Sequence, residues 1–198
     1  MKSVRACSFA ALLLLAGCVA GYKPDDALLK GDEPIPPTEF KRGTATLDQV
    51  KAWSASLLSY PESKSALEIV AKDLDQDGTN DLLVADPAMA GTGGNNYLAF
   101  IRTPRGYRYI GHVGFGALRV LPKDATGQTK LVTWWHVSAG EGGVTLVTLD
   151  SNGFHEVTNV TVYAGDQGTA EGNRIADELF GTNDLSPAEL NRIFGARF

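Results

Sequence analysis

The nine residues Asp73-Leu74-Asp75-Gln76-Asp77-Gly78-Thr79-Asn80-Asp81 restrict this chain more than any other stretch. Counted from Asp73, acids stand at positions 1, 3, 5 and 9, with a glycine at position 6. Acids at alternate positions of a tight loop point their oxygens inward, and a hard cation such as calcium takes six to eight oxygens. Gly78 is expected to supply the positive φ that lets the loop turn back on itself. Without a cation, four carboxylates this close would repel, and burial would raise the cost. The competing reading is a polar hairpin turn that binds nothing. Asp-Gly is a common turn signal, but a turn does not require four aligned acids.

The flanks decide what kind of loop this is. An EF-hand needs a bidentate Glu at position 12 and a helix on either side; position 12 is Val84. Ala66-Leu67-Glu68-Ile69-Val70-Ala71-Lys72 before the loop and Leu82-Leu83-Val84-Ala85-Asp86 after it are short and rich in Val, Ile and Leu, the pattern of strands. The acids therefore sit in the bend of a β-hairpin. On these residues the stretch resembles the FG-GAP/VCBS repeat, the D-x-D-x-D-G-x-x-D-[LIV] hairpin of integrin-α-like β-propeller blades. The resemblance implies calcium held by the side chains of Asp73, Asp75, Asp77 and Asp81 and by the carbonyl of Thr79. It extends from about Glu68 to Asp86; Asp86-Pro87-Ala88 and Gly114-Phe115-Gly116 echo the family's other landmarks only loosely. A closed propeller needs at least four blades and this chain has one such box, so the propeller's adhesion roles do not carry over.

The amino terminus speaks to location. Lys2 and Arg5 precede an apolar run, Ala6 to Ala16, too short to span a bilayer. It ends in Leu15-Ala16-Gly17-Cys18, which resembles the bacterial lipobox. That resemblance implies a signal peptide over 1–17, cleavage before Cys18 and acylation of Cys18, several acyl chains giving stable anchoring. An ordinary secretory signal, or a cytosolic chain with an apolar start, is the alternative. Cys7 would leave with the signal and Cys18 would be lipidated, so no thiol is left for a disulfide, a zinc-thiolate site or a cysteine nucleophile. Loss of Lys2 and Arg5 takes the formal charge from −5 to −7. By that sum the chain suits neither nucleic acid nor anionic lipid. Val19 after Cys18, rather than an acid, resembles lipoproteins sent to the outer membrane, and that resemblance implies its periplasmic face.

Pro24, Pro34, Pro36 and Pro37 among charged residues read as a flexible tether over 18–43. The remainder, 44–198, is long enough for one well-buried domain. Thr46-Leu47-Asp48-Gln49 fits a capping box, followed by Leu47, Val50, Trp53 and Leu57 at helical spacing, with Pro61 ending the run. Trp53 is expected to pack this helix onto a sheet. Strands follow at 97–103, 107–113, 117–122, 130–137, 144–150 and 154–163, separated by turn residues. With the first hairpin this makes a mainly-β antiparallel meander of about eight strands, two blade-like four-stranded sheets that face each other or are capped by helices. The second set lacks the acidic box. Glu171 to Phe180, ended by Gly181, and a segment begun by Ser186-Pro187-Ala188-Glu189 with Leu190, Ile193 and Phe194 on one face read as peripheral helices.

Other constellations carry less. His112, His136 and His155 lack metal-ligand spacing. Gly91-Thr92-Gly93-Gly94 lacks the Lys-Ser/Thr pair of a phosphate loop; as a connection near the hairpin it would let Asn95 or Asn96 add an oxygen ligand. Arg102, Arg105 and Arg108, with Tyr107 and Tyr109, form either an anion patch or a solvated hairpin tip. Asn159-Val160-Thr161 matches a glycosylation sequon, discounted because the lipobox resemblance implies a bacterial protein. The most enzyme-like stretch, Trp134-Trp135-His136 with Ser138 and Glu141, would suit a cell-wall or glycan hydrolase, but adjacent Trp134 and Trp135 must point to opposite faces. The expectation is a non-enzymatic, lipid-anchored envelope protein. Its first hairpin holds a structural calcium, and it serves as a binding or scaffold module for an envelope protein or glycan. An envelope hydrolase centred on Trp134–Glu141 is the alternative.

Overall fold

The computed structural model describes residues 34–58, 66–91, 93–138, 141–163, 174, 175, 177–181 and 187–194. The signal peptide, Cys18, most of the tether and Ser186 lie outside the described residues. Two short helices, α1 (Thr38–Arg42) and α2 (Leu47–Leu58), precede eight strands. The strands are β1 (Glu68–Lys72), β2 (Asp81–Ala85), β3 (Asn95–Thr103), β4 (Gly106–Phe115), β5 (Ala117–Leu121), β6 (Thr129–Ser138), β7 (Glu141–Asp150) and β8 (Gly153–Tyr163). A single 3-10 turn (Pro87–Met89) interrupts them, and α3 (Pro187–Phe194) follows.

All pairing is antiparallel between sequence neighbours: one four-stranded sheet in the order β1-β2-β3-β4, another in the order β5-β6-β7-β8. The fold is thus mainly β, two four-stranded meanders. Successive side chains on a strand face opposite sides, and here both sides are covered. In β2, Leu83 and Ala85 join Tyr97, Ala99 and Ile101 in a core shared with Leu131, Val147 and Leu149 of the second sheet. Leu82 and Val84 face the other way, with Leu98 and Phe100, into a core closed by Phe40 of α1 and Val50 of α2. The outer side of the second sheet mirrors this, with Val132, Val144 and Leu146 covered by Ile175, Leu179, Leu190 and Phe194. The layers run helix, sheet, sheet, helix. Both dispositions expected of two open blades, facing each other and being capped by helices, occur together.

The cap on α2 forms as its residues dictate: the Thr46 N–H donates to Gln49 Oε1 (2.8 Å) and the Gln49 N–H to Thr46 Oγ1 (3.2 Å). The buried stripe of α2 is narrower than the spacing suggests. Val50 and Ser54 are fully buried, whereas Leu47 and Leu57 are exposed. Trp53 does pack the helix onto the sheet, its ring 4.6 Å from Phe40 and 5.0 Å, edge-on, from Tyr109. Helix α1 falls within the stretch read as tether. Its Phe40 is buried against Phe100 (5.7 Å), so the packed structure begins before residue 44. Residues 174–175 and 177–180 are helical, and the Gly181 N–H ends that segment by donating to the Asp177 carbonyl (2.9 Å).

The second sheet reproduces the register of the first. Lys72↔Asp81 and Leu121↔Lys130 each close a loop of eight residues, 73–80 and 122–129. Thr103↔Gly106 and Asp150↔Gly153 each close a two-residue turn, and in each case the fifth residue along the returning strand, Ile110 or Val157, is left out of register as a bulge.

Phe100 contacts Phe40, Trp53 and Tyr109 and is fully buried. Phe100→Ala is therefore expected to destabilise by about 3–5 kcal/mol, read as a lower urea midpoint with an unchanged slope.

Candidate metal centre

Residues 73–80 leave β1 at Lys72 and re-enter the sheet at Asp81. The loop turns on two residues with positive φ, Gln76 (56°) and Gly78 (92°). A Cβ at Gly78 would meet nothing within 4 Å, so glycine is needed there for conformation and not for space. Leu74 points down from the loop and is fully buried in the core between the sheets.

The acids organise the loop through its own backbone. The Asp77 N–H donates to Asp73 Oδ1 (3.1 Å) and Asp75 Oδ1 (3.2 Å), and the Gly78 N–H to Asp73 Oδ2 (3.0 Å). Asp81 is fully buried; its Oδ2 accepts from the Leu74 N–H and its Oδ1 from the Arg102 N–H, both at 2.7 Å. Each carboxylate oxygen has a second lone pair, so these bonds leave Asp81 able to ligate. Carboxylate oxygens of Asp73, Asp75 and Asp81 all lie within 4.8 Å of one another. Two oxygens bound about 2.4 Å from one calcium, on opposite sides, stand about that far apart. The donor set is all hard oxygen, which fits a calcium-like ion.

Asp77 is not in that group. Its Oδ1 accepts from the Thr79 N–H (2.8 Å) and the Thr79 hydroxyl (2.6 Å), which holds its carboxyl below the usual range. Of the five ligands the resemblance implies, the structure brings three side chains together and turns Asp77 onto Thr79. Asn95 is not near the loop. Its Nδ2 donates to the Asp86 carbonyl (2.8 Å), and it starts β3, whereas Arg102, the neighbour of Asp81, lies near the strand's other end.

Burial sets the electrostatics of the loop. Burial pushes the Asp81 carboxyl up to about 6, against the pull of the Arg102 and Leu74 N–H groups. Burial also raises Asp75, and the nearby Asp77 carboxylate adds to the shift. Both acids are costly to ionise as they stand, and a cation between them reverses the sign of that cost.

The loop at 122–129 offers an internal comparison. With Pro122 as position 1, Asp124 stands at position 3 like Asp75, Gly127 (φ 80°) at position 6 like Gly78 (φ 92°), and Lys130 at position 9 in place of Asp81. The position-3 carboxylate accepts the N–H two residues on in both loops: Asp77 to Asp75 (3.2 Å), Thr126 to Asp124 (2.8 Å). Here, however, the cation belongs to the chain, with Lys130 Nζ 3.4 Å from Asp124 Oδ2. The two loops also grip each other. Thr129 Oγ1 donates to the Asp75 carbonyl (3.2 Å), Lys123 Nζ to the Gln76 carbonyl (3.2 Å), and the Gln76 amide to the Leu121 carbonyl. Lys72 Nζ adds a bond to the Leu118 carbonyl (3.1 Å). Reading residue types alone missed this contact. The signal available was the matched Asp and Gly spacing at 124 and 127.

The enzyme-like stretch is only partly placed. Trp134 packs against the helix-covered core of the second sheet, while the Trp135 indole N–H donates to Thr145 Oγ1 (3.2 Å). The side chains of His136, Ser138 and Glu141 lie outside the described residues. No protein-family model matches this chain, and no curated protein or solved structure matches it either.

Hydrogen bonds from the Thr126 hydroxyl and from the Gln128 and Thr126 N–H groups hold Asp124 down at about 2. Because the folded value lies below the ordinary one, the unfolded chain takes up this proton first on acidification. The stability Asp124 contributes is complete above about pH 4 and is lost as the pH falls toward about 2. Asp124→Asn is expected to flatten that part of the acid-unfolding profile, measured by circular dichroism.

Proposed function

We propose that the chain is a lipid-anchored protein of the bacterial envelope, acylated at Cys18 and facing the periplasm from the outer membrane, in which calcium in the β1–β2 loop stabilises a non-catalytic binding or scaffold domain. One observation carries the calcium reading: two loops of the same length and register differ at the position that enters the second strand. One has Lys130 beside its carboxylate, and the other has a buried Asp81 among two further acids. The loop with an ammonium is neutralised from within, and the loop with a third carboxylate takes its positive charge from solvent. Asp73, Asp75 and Asp81 are the core ligands, and the resemblance to the FG-GAP/VCBS hairpin adds Asp77 and the Thr79 carbonyl.

The ion's role in this reading is structural. The acids that would hold it also fix the loop whose backbone bonds to Lys123 and Thr129 of the second sheet, so the metal supports the joint between the sheets. When bound, calcium supplies charge compensation and fixed coordination, and no step of chemistry is assigned to it. The domain so stiffened presents its surface to an envelope protein or a glycan.

An ion bound only by the folded state stabilises by RT ln(1 + [Ca]/Kd), about 1–3 kcal/mol at up to a hundredfold excess over Kd. For a domain this size that is a rise of roughly 2–12 °C in Tm. The rise is expected in wild type on adding millimolar calcium, reversed by chelator, and absent in Asp75→Ala. An equal rise in the variant removes Asp75 from the site. No rise in either protein removes the calcium reading.

A further inference from the structure

The β3–β4 turn meets the end of α1. The Thr103 hydroxyl donates to the Gly43 carbonyl (2.5 Å), the Tyr107 N–H to the Ala45 carbonyl (2.8 Å), and a Cβ on Gly43 would stand 3.4 Å from Arg108 Cβ. This join brings together Lys41 and Arg42 from the last turn of α1 with Arg102, Arg105 and Arg108 from the hairpin. Four of the five are exposed and Arg108 is half-buried. None has a carboxylate partner among the described residues, and Glu39, at the start of α1, pairs with none of them. The Arg102 guanidinium lies 4.7 Å over the Tyr107 ring, and Arg108 Nε is buried without an acceptor. Ile35, 83% exposed, stands three residues before α1.

We propose that this end of the domain, Ile35 with the end of α1 and the β3–β4 turn, docks on the anionic phospholipid headgroups of the membrane that holds the anchor. The inference rests on acylation of Cys18, because the anchored chain then enters the domain at this end, through Ile35 and α1. Arginine forks match phosphate oxygens, and a lone apolar side chain beside them enters the headgroup boundary. The formal charge of −7 expected after cleavage argued against anionic lipid, but a surface is attracted by the local field and not by the sum. Asp73, Asp75 and Asp77 lie at the same end of the sheet. Their loop is bonded over toward the second sheet, and calcium there reduces their repulsion.

The test uses the full chain with Cys18→Ser, floated with vesicles of phosphatidylcholine alone or mixed with phosphatidylglycerol, in millimolar calcium. The apolar segment 6–16, with Lys2 and Arg5 before it, is common to every variant, so the difference between variants reads the patch. Binding is expected to rise with phosphatidylglycerol and to lose that rise at high salt. Each neutralised cation should reduce partitioning roughly fivefold, so Arg102→Gln/Arg105→Gln should reduce it roughly 25-fold. Lys41→Gln/Arg42→Gln, on a separate element, should do the same, which guards against a folding defect in either variant. Docking is overturned if wild type shows no phosphatidylglycerol-dependent rise, or if both double variants keep it. The anchor is read separately from the mass of the Cys18 peptide isolated from cells: an unmodified Cys18 sinks the anchor reading while a retained rise still identifies an anionic-lipid surface.

Discussion

The Asp81 carboxylate, removed from water between the N–H groups of Leu74 and Arg102, is the contact on which the first half of the structure turns. One oxygen fixes the start of the acidic loop and the other fixes the end of β3, so a single side chain sets the loop against two strands. Leu74, carried by that loop, then fills the space between the sheets. A buried charge with two neutral donors is only partly compensated, and Asp73 and Asp75 lie close enough to share whatever completes it. The seating of the loop and the gathering of its acids thus have one physical origin.

The comparison between the sheets sharpens this. Matching registers show that neither the loop length nor the glycine at position 6 is special to metal binding, since the Lys130 loop has both. What differs is the charge: Pro122, Thr126 and Lys130 stand where the first loop has Asp73, Asp77 and Asp81. Such an exchange keeps the backbone turn and changes the charge held within it.

Much of the architecture was legible because it rests on short-range patterns. Apolar periodicity and turn residues placed the strands within a few positions, and the Thr46–Gln49 box marked the start of α2 correctly. Leu47 and Leu57 had the right spacing but no surface to face, because Phe40 and the sheet leave room only for the Val50–Trp53–Ser54 stripe. Helix α1 was hidden because proline-rich composition masks a single buried aromatic, Phe40. At the acidic loop, residue types identified the acids, but not that Asp77 prefers Thr79. That choice depends on backbone N–H groups whose directions no spacing rule conveys. The pairing of loop with loop was out of reach for the same reason, since Gln76, Lys123 and Thr129 become neighbours only after two sheets stack.

Every ladder among the described strands joins strands adjacent in sequence, while the contacts that unite the halves span far longer separations. Local hairpins close quickly and distant contacts slowly. Each meander is thus built from local pairings, and the mating of the two rests on the distant contacts. A nascent first half then waits with Leu83, Ala99 and Ile101 uncovered until synthesis delivers the second.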